Sequence, residues 1–198
     1  MASADEFILL KRAAGGEAEA FRTLFEAHHE AVFRVAYRLT NEREAAEDIT
    51  QDCFLRLMSD RNKFDAARGS LRQFLYGMVR NLVLQFWQAR GRTVSLSDDL
   101  GDGPPATDAL PVDAIVIGEI GEAVQAAVSN LPVLQREAIV LFEFEELSLE
   151  EVAAAVGSDV GTIKSRLHRA RERLRRSLGP YGEARIPANK GTSHETSE

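Results

Sequence analysis

The sequence predicts an all-α protein built as two small helical domains joined by a flexible acidic tether. Three observations carry this. Apolar residues recur at three-to-four spacing over most of residues 5–90 and again over 114–178. The stretch between them, GRTVSLSDDLGDGPPATDALPVD (91–113), is rich in Gly, Pro, Ser and Asp and keeps no period. No strand-period run is long enough for a sheet, and no internal repeat is present.

In the first domain, Phe21, Leu24, Phe25, His28, Val32, Val35, Ala36 and Leu39 form one helical stripe. Thr40 or Asn41 can cap the next helix, with Glu42, Glu44 and Glu47 near its positive end. That helix carries Ala46, Ile49, Cys53, Phe54 and Leu57. A turn at 59–62 and a Gly-containing loop at 65–69 lead to Ser70, the expected cap of a long helix over about 71–89. After the tether, helices resume near Ala114–Ser129, and Asn130 with Pro132 marks another start. A short break at Glu145–Leu147 follows. Ser148 and Glu151 have capping-box spacing, Gly157 suits a turn, and a last helix runs from about Val160 to Leu178. Gly179-Pro180 is the expected stop, with a polar, disordered tail over 179–198.

Charge is unevenly placed. The formal net charge is −7. Yet 66–92 holds five arginines (68, 72, 80, 90, 92) and no acid, and 161–178 holds seven Lys or Arg against one Glu. The tether holds Asp98, Asp99, Asp102, Asp108 and Asp113. Two basic, helix-periodic stretches flanking an acidic one suggest two separate polyanion-binding faces. One cysteine excludes an internal disulfide and a Cys-cluster zinc site, and a reducing compartment follows as the default. No run reaches the roughly 18–20 apolar residues of a membrane span. The start, MASADEFILLKRAAGG, is acidic without a long apolar run and is not read as a secretory signal.

The C-terminal stretch has the outline of a helix-turn-helix: short helix, Gly turn, longer basic helix. At 100° per residue, Ile163, Leu167, Ala170, Leu174 and Leu178 share one face. Ser165, His168 and Arg169 point away, with Lys164 and Arg166 on the flanks. An apolar back and donors in the N-terminal half suit a helix that reads base edges. The later arginines (171, 173, 175, 176) sit where phosphates would pass.

The same wheel on 71–89 gives a core stripe of Leu71, Phe74, Leu75, Met78, Val79, Leu82 and Phe86. Arg80 and Gln73 lie opposite, flanked by Tyr76, Val83 and Trp87. Aromatics with Arg and no acid describe a surface that stacks unpaired bases. Equally, Tyr76 and Trp87 can pack on another helix of the same domain. A duplex-reading element beside a single-strand-reading one points to promoter recognition with strand opening.

The residues 131–178, LPVLQREAIVLFEFEELSLEEVAAAVGSDVGTIKSRLHRARERLRRSL, resemble region 4 of extracytoplasmic-function (ECF, group 4) sigma factors of bacterial RNA polymerase. FRTLFEAHHEAVFRVAYRLTNEREAAEDITQDCFLRLM (21–58) and FDAARGSLRQFLYGMVRN (64–81) resemble region 2 of the same family. The resemblance implies region 2 over 1–90, an acidic connector over 91–113 that enters the polymerase cleft, and region 4 over 114–178. It implies core-polymerase docking through Asp48, Gln51, Asp52, Leu55 and Arg56. It implies −10 single-strand contacts from Asn62, Lys63, Phe64, Arg68, Ser70, Arg72, Tyr76, Arg80 and Trp87. For the −35 duplex it implies Thr162, Lys164, Ser165, Arg166, His168, Arg169 and Arg171. Its implied partners are the clamp and flap of core polymerase, promoter DNA and an anti-sigma factor. The resemblance implies no enzymatic activity, cofactor, metal or membrane insertion, and a cytoplasmic protein that an anti-sigma factor can hold at the membrane. Gln85 stands where many relatives carry Asp, and Ser158 where an apolar residue usually follows the turn glycine.

Two rivals explain less. A helix-turn-helix repressor accounts for 131–178 but gives AEDITQD and the aromatic-Arg helix no role. A di-iron enzyme would use the E-x-x-H spacing of Glu26 and His29 in pairs, and there is no second copy. His28 reads as a core histidine and Cys53 as a buried small residue.

Overall fold

The computed structural model describes residues 3–59, 64–91 and 119–183. Asn62, Lys63, most of the expected tether and the tail from 184 lie outside the described residues. Within them the chain is helical throughout, in two domains.

The first domain holds α1 (Ser3–Ala14), α2 (Ala18–Thr40), α3 (Arg43–Ser59), a 3₁₀ turn (Ala66–Arg68) and α4 (Leu71–Ala89). α2 is its axis and packs on α1, α3 and α4. Its stripe is the expected one: Leu24, His28, Val32, Val35, Ala36 and Leu39 are buried. α2 ends at Asn41, which takes the left-handed conformation (φ 58°) and donates its N–H to the Tyr37 carbonyl. Asn41 is therefore a C-cap, while Thr40 Oγ1 accepts from the Glu42 N–H at 3.3 Å. α4 begins on a full capping box. Ser70 Oγ accepts from the Gln73 N–H, and Gln73 Oε1 accepts from the Ser70 N–H at 2.9 Å.

The second domain holds α5 (Glu119–Ser129), α6 (Val133–Ile139), a π-helical turn (Val140–Phe144), α7 (Leu149–Val156) and α8 (Val160–Glu183). The widened turn brings the Glu145 N–H to the Val140 carbonyl at 3.1 Å. Glu146 follows in the left-handed conformation, with φ 55°. Ser148 and Glu151 form the expected capping box of α7. Gly157 (φ 66°) closes α7 with its N–H on the Ala153 carbonyl, a conformation that costs a side-chain-bearing residue energy. One expectation fails: α8 continues through Gly179-Pro180 to Glu183. Gly179 accepts right-handed helical angles as readily as left-handed ones, and Pro180 removes one N–H from the helical ladder without ending the helix here.

The two domains share one continuous core. α4 lies against α7, and α2 against α5 and the π-helical turn. Gly77 makes the α4–α7 approach possible, because a Cβ there would stand 3.0 Å from the Ala155 carbonyl oxygen. Arg136, buried on α6, donates to the Leu39 carbonyl at the end of α2 (2.7 Å). It also donates to the Leu131 carbonyl (3.1 Å) and to that of Ser129. One guanidinium thus satisfies C-terminal carbonyls from both domains.

Candidate nucleic-acid interface

α7, the Gly157 turn and α8 form the expected helix-turn-helix. Ile163, Leu167 and Ala170 are buried along the back of α8. Lys164, His168 and Arg171 are exposed, and Ser165 and Arg169 are half-buried. The first turn of α8 is fixed by Asp159. Its Oδ1 accepts from the Thr162 N–H at 2.9 Å and its Oδ2 from the Thr162 hydroxyl at 2.6 Å. These bonds hold the Asp159 carboxyl below its usual range. Thr162 is thereby a capping partner. Ser165 Oγ donates to the Thr162 carbonyl (3.0 Å) and accepts from Arg169 (3.3 Å), which orders the reading face. Arg171 is held by Glu143 at 2.6 Å and lies over the Phe142 ring.

Arg166 departs from the expectation of a DNA contact, since it is buried. It stands three residues after Ile163, on the same face as the apolar stripe. There its charge acts on Glu137, whose carboxyl burial pushes up while Arg80 and Arg166 pull it down.

The region expected to meet the −10 strand departs further. Tyr76 is fully buried and Trp87 is 2% exposed. Phe64 is buried too, packed against Phe74 at 5.5 Å between ring centroids. Phe64 is covered within its own domain, by Phe7 and Phe74, whereas the polar partners of Tyr76 and its neighbours on α4 come from the second domain. The Tyr76 hydroxyl donates to Glu145 Oε2 at 2.6 Å. Arg72 donates to the Glu145 carbonyl at 3.1 Å, and Arg80 Nε to Glu137 Oε2 at 3.1 Å. Gln73 donates to Glu151. Glu145 also pairs with Arg38 (3.1 Å) and Arg34 (3.7 Å). Burial, then Glu145, push the Tyr76 phenol well above its usual range. Burial lowers the Arg38 guanidinium, and Glu145 partly offsets this. Ser70 is engaged in its cap. Sequence reasoning missed Glu137 and Glu145 as partners, because neither has a charge pattern tying it to α4.

The five residues expected to dock on polymerase, Asp48, Gln51, Asp52, Leu55 and Arg56, are all exposed on α3. Leu55 is 58% exposed, an apolar side chain standing free among polar ones. Arg56 donates to Gln85 Oε1 at 3.2 Å, which ties α3 to α4 beside these residues.

The remaining candidates for chemistry are structural. His28 Nε2 lies 3.1 Å from Glu6 Oε1 in the interior, and His29 stacks on Phe25 while Glu26 is exposed. Cys53 is buried and its thiol is pushed up to about 12 by desolvation. Among the described residues no helix is long and apolar enough to cross a membrane.

Comparison with known proteins agrees with this anatomy. The Sigma-70 region 2 family matches residues 24–93, and the Sigma-70 region 4 family matches residues 121–174. The ECF RNA polymerase sigma factor SigM of Mycobacterium tuberculosis is 34% identical over 175 residues, covering 86% of this chain and 83% of the relative. The ECF RNA polymerase sigma factor SigE of Mycolicibacterium smegmatis is 36% identical, covering 80% of this chain and 61% of the relative. The solved structure of the sigma factor RpoE, in complex with the anti-sigma factor NepR from Bartonella quintana, aligns with a TM-score of 0.64 at 29% identity. The alignment covers 82% of this chain and 98% of that one. The chain belongs to the ECF sigma factor family.

Proposed function

We propose that this chain binds core RNA polymerase and directs it to promoters, reading −35 duplex with α8 and −10 single strand with region 2. The helix-turn-helix carries the reading: an apolar back on α8, a Gly157 turn, and Lys164 and His168 exposed on the opposite side. Region 2 spans 1–90, the connector 91–113 and region 4 114–178, with α8 running on to Glu183 before the tail. Lys164, Ser165, His168 and Arg169 face the −35 bases, Arg171 lies beside them, and Thr162 sets the helix start. Asp48, Gln51, Asp52, Leu55 and Arg56 meet the polymerase clamp, and the flap receives region 4. Arg72, Tyr76, Arg80 and Trp87, with the 62–70 loop, receive the −10 strand. Its work is binding, with no catalytic step, and is done in the cytoplasm. An anti-sigma factor holds it inactive, as the NepR complex of the Bartonella relative suggests by likeness.

The deciding experiment is transcription in vitro with core polymerase on genomic DNA, with start sites mapped. Specific starts that share −35 and −10 elements are the expected result, and no specific initiation refutes the reading. A gel shift separates this from a repressor: the chain should bind promoter DNA tightly only with core enzyme, and tight duplex binding by the chain alone counts against it.

A further inference from the structure

The α4 face is occupied by anions of the chain itself. Glu145 places its carboxylate on Tyr76, Arg38 and Arg34, and its carbonyl on Arg72. Glu137 meets Arg80, and Glu151 meets Gln73. A cleft beside Phe64, Gln73, Phe74 and Asn81 is walled on its far side by Ala154 and Ala155 of α7. Carboxylates sit where a strand would bring phosphates and base edges. We propose that the free chain is self-closed, with Glu137 and Glu145 of region 4 acting as anionic stand-ins that must leave before a −10 strand can reach Arg72, Tyr76 and Arg80. This rests on the reading of α4 as the −10 face.

Two features make the closed state tight yet reversible. Gly77 lets α7 lie directly on α4, a contact no larger residue permits without displacement. Against that, the buried Glu137 carboxylate has a hydrogen bond on Oε2 but none on Oε1. A buried carboxylate only half satisfied opposes the closure it takes part in. A polyanion or polymerase that draws the domains apart frees it.

The test uses the full chain, spin-labelled at Glu26→Cys on α2 and Glu150→Cys on α7, both exposed sites. Cys53, buried and with a raised thiol pKa, remains unlabelled. Pulsed electron resonance reads the interdomain distance, and fluorescence anisotropy reads binding of a short single-stranded oligonucleotide with a −10-like sequence. Wild type should show a dominant short distance with a minor longer one, about one molecule in ten. Gly77→Leu, which keeps a good helix former, and Glu145→Gln, which leaves α4 intact, should each lengthen and broaden the dominant distance. Each should also bind the oligonucleotide about tenfold tighter, as expected if about one wild-type molecule in ten is open. Saturating oligonucleotide should open the wild type. A wild-type distance already long and unchanged in both variants overturns the closure. Opening without tighter binding overturns the competition. If Arg80→Ala in the opened Gly77→Leu background then also leaves binding unchanged, it is the assignment of α4 to DNA that has failed.

Discussion

His28 and Arg136 show how single polar side chains are accommodated in this interior. Burial lowers the His28 pKa from its ordinary 6.5, and Glu6 only partly opposes this. The unfolded chain therefore holds the imidazole proton more tightly than the folded one, and stability rises with pH across that interval. The contribution is present above 6.5 and is lost as the pH falls towards the folded value. The urea midpoint should decline between pH 7.5 and 5.5, and His28→Gln should flatten that decline; an unchanged slope would place the titration elsewhere. Arg136 serves three carbonyls from a buried position. Arg136→Ala should cost about 2–4 kcal/mol in denaturant unfolding, because buried acceptors lose their donor. Arg136→Lys should recover little, since one ammonium cannot reproduce the planar fork.

Among the elements, α7 and α8 follow from local chemistry, while α4 does not. The Ser148 box, the Gly157 turn and the Ile163–Leu167–Ala170 stripe are short-range features, and each stands where the spacing put it. Gly157→Ala should destabilise region 4 by about 1 kcal/mol, since alanine resists φ 66°. Thermal unfolding reads this, and a shift within error would mean that the turn relaxes. The wheel on α4 found one buried stripe, but Tyr76, Val83 and Trp87 are buried beyond it. A helix wheel assumes one covered face. α4 has two, one turned to its own domain and one to region 4, and the second partner lies 57–73 residues away in sequence. The same limit hid Arg166, whose flank position on the wheel faces Glu137 once α6 is packed against α8. Asp48, Gln51, Asp52, Leu55 and Arg56 follow from the family resemblance rather than from the wheel, and α3 leaves all five exposed.

For the whole molecule, placement of charge decides more than its sum. At net −7 the free chain is repelled by nucleic acid over long range, and the bases that could overcome this are locally concentrated. Some basic side chains are also spent internally: Arg80 on Glu137, Arg38 on Glu145 and Arg171 on Glu143. On α8 the remaining cations divide by position. Lys164 stands exposed near the helix start, and Arg176 stands exposed three turns further on, its Nε directed at the Glu172 carbonyl at 3.4 Å. A base-edge donor and a phosphate contact respond differently to sequence and salt. In the assembled polymerase, Lys164→Ala should weaken promoter binding by about 1–3 kcal/mol and relax the preference at one −35 position. Arg176→Ala should weaken binding about equally on all sequences and lower the slope of log affinity against log salt by about 1. Binding titrations at several salt concentrations, on the mapped promoter and on single-base −35 variants, distinguish the two. If Lys164→Ala changes only the salt slope, the lysine holds phosphate, and base reading shifts to Ser165, His168 and Arg169 on the same face.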